Sequence, residues 1–469
     1  TVVLNAQPDS NVVLTITSAD TGESTVTSSL TFTNGNWFTP QTVTVTGVDD
    51  NLIDGNKNST ITIAVDDGNS DNNFDPLNNQ TVTATTTDND TAGFTIAESG
   101  GNTTVTEAGS TDTFTVVLNA QPDSNVVLTI TSADTGESTV TSPLTFTNGN
   151  WNTPQTVTVT GVNDNLVDGD VNSVLTIAVD DGNSDNNFDP LNNQTVTATT
   201  TDNETAGFTI AQTGGNTTVT EAGSTDTFTV VLNAQPTSNV VLTITSADTG
   251  ESTVTSSLTF TNGNWNTPQT VTVTGVDDNL IDGNKNSTLT IAVDDANSDN
   301  NFDPLNDQTV TATTTDNDTA GFTIAETGGN TTVTEAGSTD TFTVVLNAQP
   351  DSNVVLTITS ADTGESTVTS PLTFTNGNWF IPQVVTVTGV DDNLIDGNKN
   401  STLTIAVDDG NSDNNFDPLN NQTVTATTTD NDTAGFTIVE SGGNTTVTEA
   451  GSTDTFTVVL NAQPDSNVV

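Results

Sequence analysis

Between residues 111 and 119 the chain reads TDTFTVVLN, with Phe114, Val116 and Leu118 separated by threonine and valine. Alternation of this kind sends successive side chains to opposite faces, which gives a strand with one apolar face. The same period-two pattern returns in NVVLTITSA (125–133), STVTSPLTFT (138–147), TPQTVTVTG (153–161), SVLTIAVD (173–180) and QTVTATTTD (194–202). A further strand begins as GFTIA (93–97) and continues after SGGN as TTVTE. These runs are rich in Val, Ile, Thr and Phe and are bounded by Gly, Asn, Asp and Ser clusters, and no segment has helical periodicity. Seven short strands of this sort predict an all-β fold, a seven-stranded antiparallel β-sandwich of immunoglobulin-like topology. The predicted inward face is Phe114, Val116, Leu118, Leu128, Ile130, Leu144, Phe146, Val157, Val159, Leu175, Ile177 and Phe208. Trp151, in NGNWNTPQ, is expected to plug the core at the turn between the fourth and fifth strands.

The pattern is also periodic on a longer scale. TVVLNAQP begins at Thr1, Thr115, Thr229, Thr343 and Thr457, a spacing of 114 residues. Taking each unit from the junction TTTDNDTAGF gives repeats at 92–205, 206–319 and 320–433. Residues 1–91 are a repeat lacking its first strands, and 434–469 are the N-terminal part of a fifth. A unit of this length buries its own core, so the repeats are expected to be tandem domains strung as beads in a rod, not coils of a solenoid. A sequence that opens without Met and stops in mid-strand reads as a window on a longer protein.

Charge narrows the partners. The chain carries 60 Asp and Glu against three lysines, a formal net charge of −57, with no Arg, His, Cys, Met or Tyr. Nucleic acid and anionic lipid need a cationic surface, so neither is an expected partner. No run of about 18 apolar residues is present, so no membrane insertion is expected from this segment. Without Cys or His, disulfides, thiolate sites and the usual zinc or acid–base chemistry are excluded. An enzyme using a carboxylate pair is disfavoured, because every repeat carries the same acids and no aromatic cleft is evident. A general Lys–Asn crosslink is disfavoured too, since Val171 stands where the other repeats have Lys57, Lys285 and Lys399.

Counting strands places the acids. With alternate loops at opposite poles, one pole of the second repeat collects Glu107, Asp134, Glu137, Asp164, Asp168, Asp170, Asp202 and Glu204. All-oxygen donors without nitrogen or sulfur suit calcium, which accepts 6–8 oxygens in flexible geometry. The candidate calcium ligands at the junctions are Asp50, Asp54, Asp88 and Asp90 in the first repeat and Glu107, Asp164, Asp168, Asp202 and Glu204 in the second. Their counterparts are Glu221, Asp278, Asp282, Asp316 and Asp318 in the third, Glu335, Asp392, Asp396, Asp430 and Asp432 in the fourth, and Glu449 in the fifth. A second set lies in the long loop of the other pole: Asp66, Asp67, Asp71 and Asp75; Asp180, Asp181, Asp185 and Asp189; Asp294, Asp295, Asp299 and Asp303; Asp408, Asp409, Asp413 and Asp417. For this second set Asx-turn formation is an equal alternative, and for both sets turns and solubility are the plainer reading.

Three motifs in order, EAGSTDTFTVVL, WNTPQTVTVTGVNDNLVDG and a last strand ending TTTDNETAG, resemble the Calx-beta repeat. That family is an immunoglobulin-like calcium-binding sandwich of exchanger proteins and large bacterial surface proteins. The resemblance implies calcium held at one apex by Glu107, Asp164, Asp168, Asp202 and Glu204, the set reached by counting loops. It departs from the family in NDNLVDGD, whose Asn and Gly dilute the acids of that loop. Near-identical tandem copies are also similar to adhesin extender regions. The expected function is a non-catalytic structural region of an extracellular or cell-surface fibre or adhesin, of bacterial origin, with calcium stiffening the junctions. Its expected partners are neighbouring repeats and identical chains in a fibre. The alternatives are a surface module binding glycan or ice through exposed Thr ladders, and a fibre assembled by strand donation.

Overall fold

A computed structural model describes residues 1–469. In the second repeat the strands are β1 (Phe94–Glu98), β2 (Thr104–Thr106), β3 (Thr111–Leu118), β4 (Val126–Ser132), β5 (Ser138–Val140), β6 (Leu144–Phe146), β7 (Gln155–Gly161), β8 (Val171–Val179) and β9 (Gln194–Thr201). One sheet runs β5-β7-β3-β1 and the other β6-β4-β8-β9-β2. All pairings are antiparallel except β2 with β9, where Val105 lies opposite Thr200 in a parallel register. With β1 counted as A and β9 as G, this is the ABED and CFG arrangement of an immunoglobulin-like sandwich.

Two of the seven expected strands are divided. GFTIA and TTVTE separate into β1 and β2, because Gly100 and Gly101 take positive φ and carry the chain from one sheet to the other. STVTSPLTFT likewise separates into β5 in one sheet and β6 in the other, with Ser142 between them outside either strand and its Oγ accepting the Ile130 N–H at 2.9 Å.

The alternation finds its core. Phe114, Val116, Leu118, Leu128, Ile130, Leu144, Phe146, Val157, Val159, Leu175 and Ile177 are all buried in one cluster, and Phe208 is buried in the third repeat. Each such side chain contributes roughly 1.5–3 kcal/mol relative to exposure. Trp151 is half-buried against this cluster, and its carbonyl accepts the Leu118 N–H at 3.2 Å.

The chain divides into two compact units, Thr1–Ala206 with Ala234–Thr237, and Gly207–Asn233 with Ser238–Val469. Within the first, residues 12–86 form a four-stranded sheet, Ser29–Phe32, Val12–Ser18, Lys57–Val65 and Gln80–Thr86, faced by the pair Ser24–Val26 and Val45–Gly47. Within the second, two repeats reproduce the nine-strand pattern, followed by the exposed hairpin Phe436–Glu440 and Phe456–Leu460. No helix is long and apolar enough to cross a membrane.

Candidate metal centre

Four chain connections meet at one end of the second repeat. The β2–β3 turn presents Glu107, the β4–β5 loop Glu137, the β7–β8 loop Asp164 and Asp168, and the end of β9 Asp202 and Glu204. The β2–β3 turn closes with Gly109 N–H donating to Thr106 O at 3.0 Å, and Gly109 has φ +84°. Where β7 ends, Gly161 passes so close that a Cβ would stand 2.1 Å from Thr106 O, so only glycine lets the two connections lie together.

Asp202 clips the site. Its Oδ2 accepts the N–H of Asp168 at 3.2 Å and of Gly169 at 2.8 Å, while its Oδ1 accepts the N–H of Glu204 at 2.7 Å. The β7–β8 loop is thereby tied to the end of β9. Asp164 organises the same loop, its Oδ1 accepting the Leu166 N–H at 2.7 Å. Backbone N–H groups of Asp90 and Gly55 hold the equivalent Asp88 below the usual carboxylate range, and those of Asp432 and Gly397 do the same for Asp430.

Glu107 stands at the centre. Its carboxylate, those of Glu137 and Asp168, and in a second grouping those of Asp202 and Glu204, offer oxygens within 4.8 Å of one another. Glu107 is 1% exposed and Glu137 6% exposed. Glu137 Oε2, Asp168 Oδ1 and Glu204 Oε2 are buried without a hydrogen-bond partner. Burial, and then the carboxyl shared with Glu204, push Glu107 up to about 7. Burial, and then the Asp168 charge, push Glu137 up to about 7. Burial, and then Asp164, raise Asp168. Buried carboxylates that lack partners and repel one another are costly unless protonated or bound to a cation. Oxygen-only donors of this number fit calcium.

The other complete repeats repeat the arrangement. In the third, Glu221 groups with Asp316 and Asp318 and, separately, with Glu251 and Asp282; in the fourth, Glu335 groups with Asp392 and Asp432. Glu251 Oε2, Asp282 Oδ1 and Asp318 Oδ2 are unpartnered, as are Glu365 Oε2, Asp396 Oδ1 and Asp432 Oδ2. Asp278 and Asp392 cap their loops through the N–H of Leu280 and Leu394, each at 2.7 Å. In the first repeat Asp50 accepts from Leu52 at 2.8 Å, Asp88 from Gly55 and Asp90 at 2.8 Å, and Asp54 pairs with Lys57 at 3.3 Å. Glu449 is exposed in its turn. Glu137, Glu251 and Glu365 were outside the expected ligand set, although counting had placed Glu137 at this pole. SADTGE reads as a turn, and only the fold shows its glutamate turned inward.

The acid-bearing loop also touches the next repeat. In the first unit, Gln121 N–H donates to Asn51 O at 2.7 Å, Leu52 bridges Gln121 in parallel, Asn187 Nδ2 donates to Ile53 O at 2.9 Å, and Ile53 packs on the core of the second repeat. In the second unit, Gln349 donates to Asn279 O at 2.7 Å, Asn415 Nδ2 to Ile281 O at 2.8 Å, and Ile281 packs likewise.

The long loop of the opposite pole spends one aspartate per repeat on backbone N–H groups. Asp71 accepts the N–H of Asp9 at 2.6 Å, Ser10 at 3.1 Å and Asn73 at 2.9 Å, and the Asn73 and Ser10 bonds lower its pKa. Asp185 accepts from Ser124 and Asn187, Asp299 from Ser238 and Asn301, and Asp413 from Ser352 and Asn415. Asp66, Asp180, Asp294 and Asp408 accept from the Asn three residues on, and Asp67, Asp181, Asp295 and Asp409 open the 3-10 turn that follows. Asp75, Asp189, Asp303 and Asp417 each keep one buried oxygen without a partner.

Comparison with known proteins adds the lineage of these repeats. The profile of the Calx-beta domain matches residues 1–90, 88–204, 202–318 and 316–432. No curated protein is similar enough in sequence to match the chain. Among solved structures, domains 4–9 of the surface layer protein SbsC align at 15% identity over 92% of this chain and 61% of that one, with a TM-score of 0.21. The chain thus spans less than two thirds of that structure. CBD12 from CALX1.2 aligns at 14% identity over 42% of this chain and 78% of that one, TM-score 0.19. The I67–I69 fragment of titin aligns at 8% over 72% and 98%, TM-score 0.23.

Proposed function

The chain belongs to the Calx-beta family, and from that premise we propose that it is the non-catalytic structural repeat region of a secreted or cell-surface fibre or adhesin, in which calcium at the domain junctions stiffens the array. The reading rests on the loop before the Lys285–Val293 strand in the third repeat, which does two things at once. Its Asp282 joins Glu221 and Glu251 in a carboxylate cluster in which Asp282 and Glu251 keep buried, unpartnered oxygens, and its backbone docks on the fourth repeat through Asn279 and Ile281. A cation held by Asp282 therefore orders the same residues, 279–281, that grip the neighbour. Glu107, Glu137, Asp168, Asp202 and Glu204 would hold the ion in the second repeat, and it would supply the positive charge that five carboxylates lack. Calcium near millimolar outside cells fills sites with Kd of about 10⁻⁴–10⁻³ M, so the junction would stiffen on export.

Small-angle scattering and thermal melting of the 469-residue chain, in about 2 mM calcium and in excess EDTA, test this. Linkage at that concentration gives about 0.6–1.8 kcal/mol per occupied site. A higher melting temperature and a sharper, more extended distance distribution in calcium are expected. Identical melts and scattering in the two buffers would leave the acids as solubilising turn residues on a flexible tether.

A further inference from the structure

The only three cationic side chains of the chain, Lys57, Lys285 and Lys399, occupy one equivalent position, the first residue of the strand that follows the acid loop. Each ammonium lies against the aspartate three residues earlier: Lys57 on Asp54 at 3.3 Å, Lys285 on Asp282 at 3.2 Å and Lys399 on Asp396 at 3.1 Å. Asp282 belongs to the carboxylate cluster of its repeat, and the other oxygen of Asp282 and of Asp396 is buried and unpartnered. Lys285 also attracts Glu251, the 7%-exposed member of the same cluster, and Asp351 of the following repeat.

The second repeat is built differently. Val171 stands at the lysine position, so Asp168 has no ammonium beside it, while Glu137, 6% exposed, still aims an unpartnered oxygen at Glu107 and Asp168. The substitution is matched elsewhere: Asp123, Asp351 and Asp465 follow the lysine-bearing repeats, but Thr237 takes that position after Val171. Lysine and the following aspartate are present together or absent together, which is the behaviour of a charge pair and not of unconstrained drift.

We propose that this residue sets the calcium affinity of each repeat, with Lys57, Lys285 and Lys399 acting as built-in counter-ions that weaken binding and Val171 leaving the second repeat as the tightest site. The inference rests on the calcium reading above. An ammonium about 3 Å from a ligand oxygen repels an incoming divalent ion and competes for that oxygen; one unit charge a few Å away is worth roughly tenfold or more in affinity. The array then fills in sequence as calcium rises, the second repeat first.

Calorimetric titration of the full chain with calcium chloride tests this, with melts in EDTA checking that each variant folds. Both substitutions use residues already native at the equivalent position. Two classes of site are expected in the unsubstituted chain. Val171→Lys is expected to weaken the tight class by about tenfold into the other, and the triple variant Lys57→Val, Lys285→Val, Lys399→Val to strengthen the weak class by a similar factor. If the unsubstituted chain binds but neither variant changes affinity, the lysine role is overturned and the calcium reading stands. If the unsubstituted chain binds no calcium, both fall together. A tight class that survives Val171→Lys also overturns the proposal and points to Asp170, which replaces Asn56 of the first repeat.

Discussion

Proton release is the sharpest consequence of burying Glu107 and Glu137 together. Both are held up to about 7 in the cation-free protein, against an ordinary 4.5. Below the ordinary value both folded and unfolded chains carry the proton, and the groups cost the fold nothing. As pH rises through 7 the folded chain must either keep protons that the unfolded chain has lost or ionise two buried, clustered carboxyls, so stability in EDTA falls across roughly pH 4.5–7. On the proposed reading calcium reverses the sign, because the ionised form is the one that would bind. At pH 7 each group is about half protonated, so filling the site of the second repeat expels about one proton. From pH 8 to pH 6 the ionised fraction of each falls from about nine-tenths to about one-tenth, which weakens binding roughly tenfold if one must ionise and roughly a hundredfold if both must. Titration calorimetry of the chain in Pipes and in Tris, whose ionisation enthalpies differ, measures the release directly. Glu107→Gln should remove about half of the release contributed by this repeat. Equal heats in both buffers together with a pH-independent affinity would refute the coupling and mean that neither glutamate meets the ion.

The remaining expectations concern the scaffold. Gly161→Ala places a methyl 2.1 Å from Thr106 O, and should cost about 1–3 kcal/mol in denaturant unfolding while weakening calcium binding, since the Glu107 turn must move. Asp202→Asn keeps the shape but replaces three charge-assisted backbone hydrogen bonds with weaker ones, so stability should drop by about 1–3 kcal/mol even in EDTA, where a pure ligand would show no loss. Phe188→Ala empties a fully buried position and should cost about 3–5 kcal/mol, read by chemical denaturation with calcium and EDTA arms giving the same difference.

Much of this was legible because it depends on period. Alternation marks which side of a strand is apolar whatever sheet the strand joins, so Phe114, Leu128, Phe146 and Val157 were identified as core. The same indifference hid the sheet crossings: Val140 and Phe146 both face the shared interior, and nothing in STVTSPLTFT distinguishes one strand from two. Phe188 was missed for the opposite reason. It is a single aromatic in NNFDP with no alternation around it, although an isolated Phe at the same place in every repeat, Phe74, Phe302 and Phe416 included, is the available cue. Glu137 was underrated because its role depends on Glu107 and Asp168, 30 residues before it and 31 after. The second acid set shows how alike ligand and turn look in sequence: Asp185 and Asp168 both have Gly and Asn within three residues, yet Asp185 spends its oxygens on backbone N–H groups, while Asp168 keeps one buried and unpartnered.

Placing acids where consecutive repeats meet looks self-defeating in a chain of net charge −57, and the junction contacts show how the conflict is handled. The groups hydrogen-bonded across the junction are neutral: Asn187 and Asn415 amides and Gln121 and Gln349 backbone N–H groups meet carbonyls of the acid loop. The acids stay one layer behind, on the same loop, facing inward. Repulsion among them is therefore not felt as repulsion between repeats. Like charges within about 5 Å in a poorly solvated pocket instead favour opening the loop that makes the contact. A cation that closes the pocket removes that tendency without itself bridging two domains. On the proposed reading junction stiffness follows from loop order, conditional on charge balance, and the lysines paired with Asp54, Asp282 and Asp396 would supply part of that balance from within the chain.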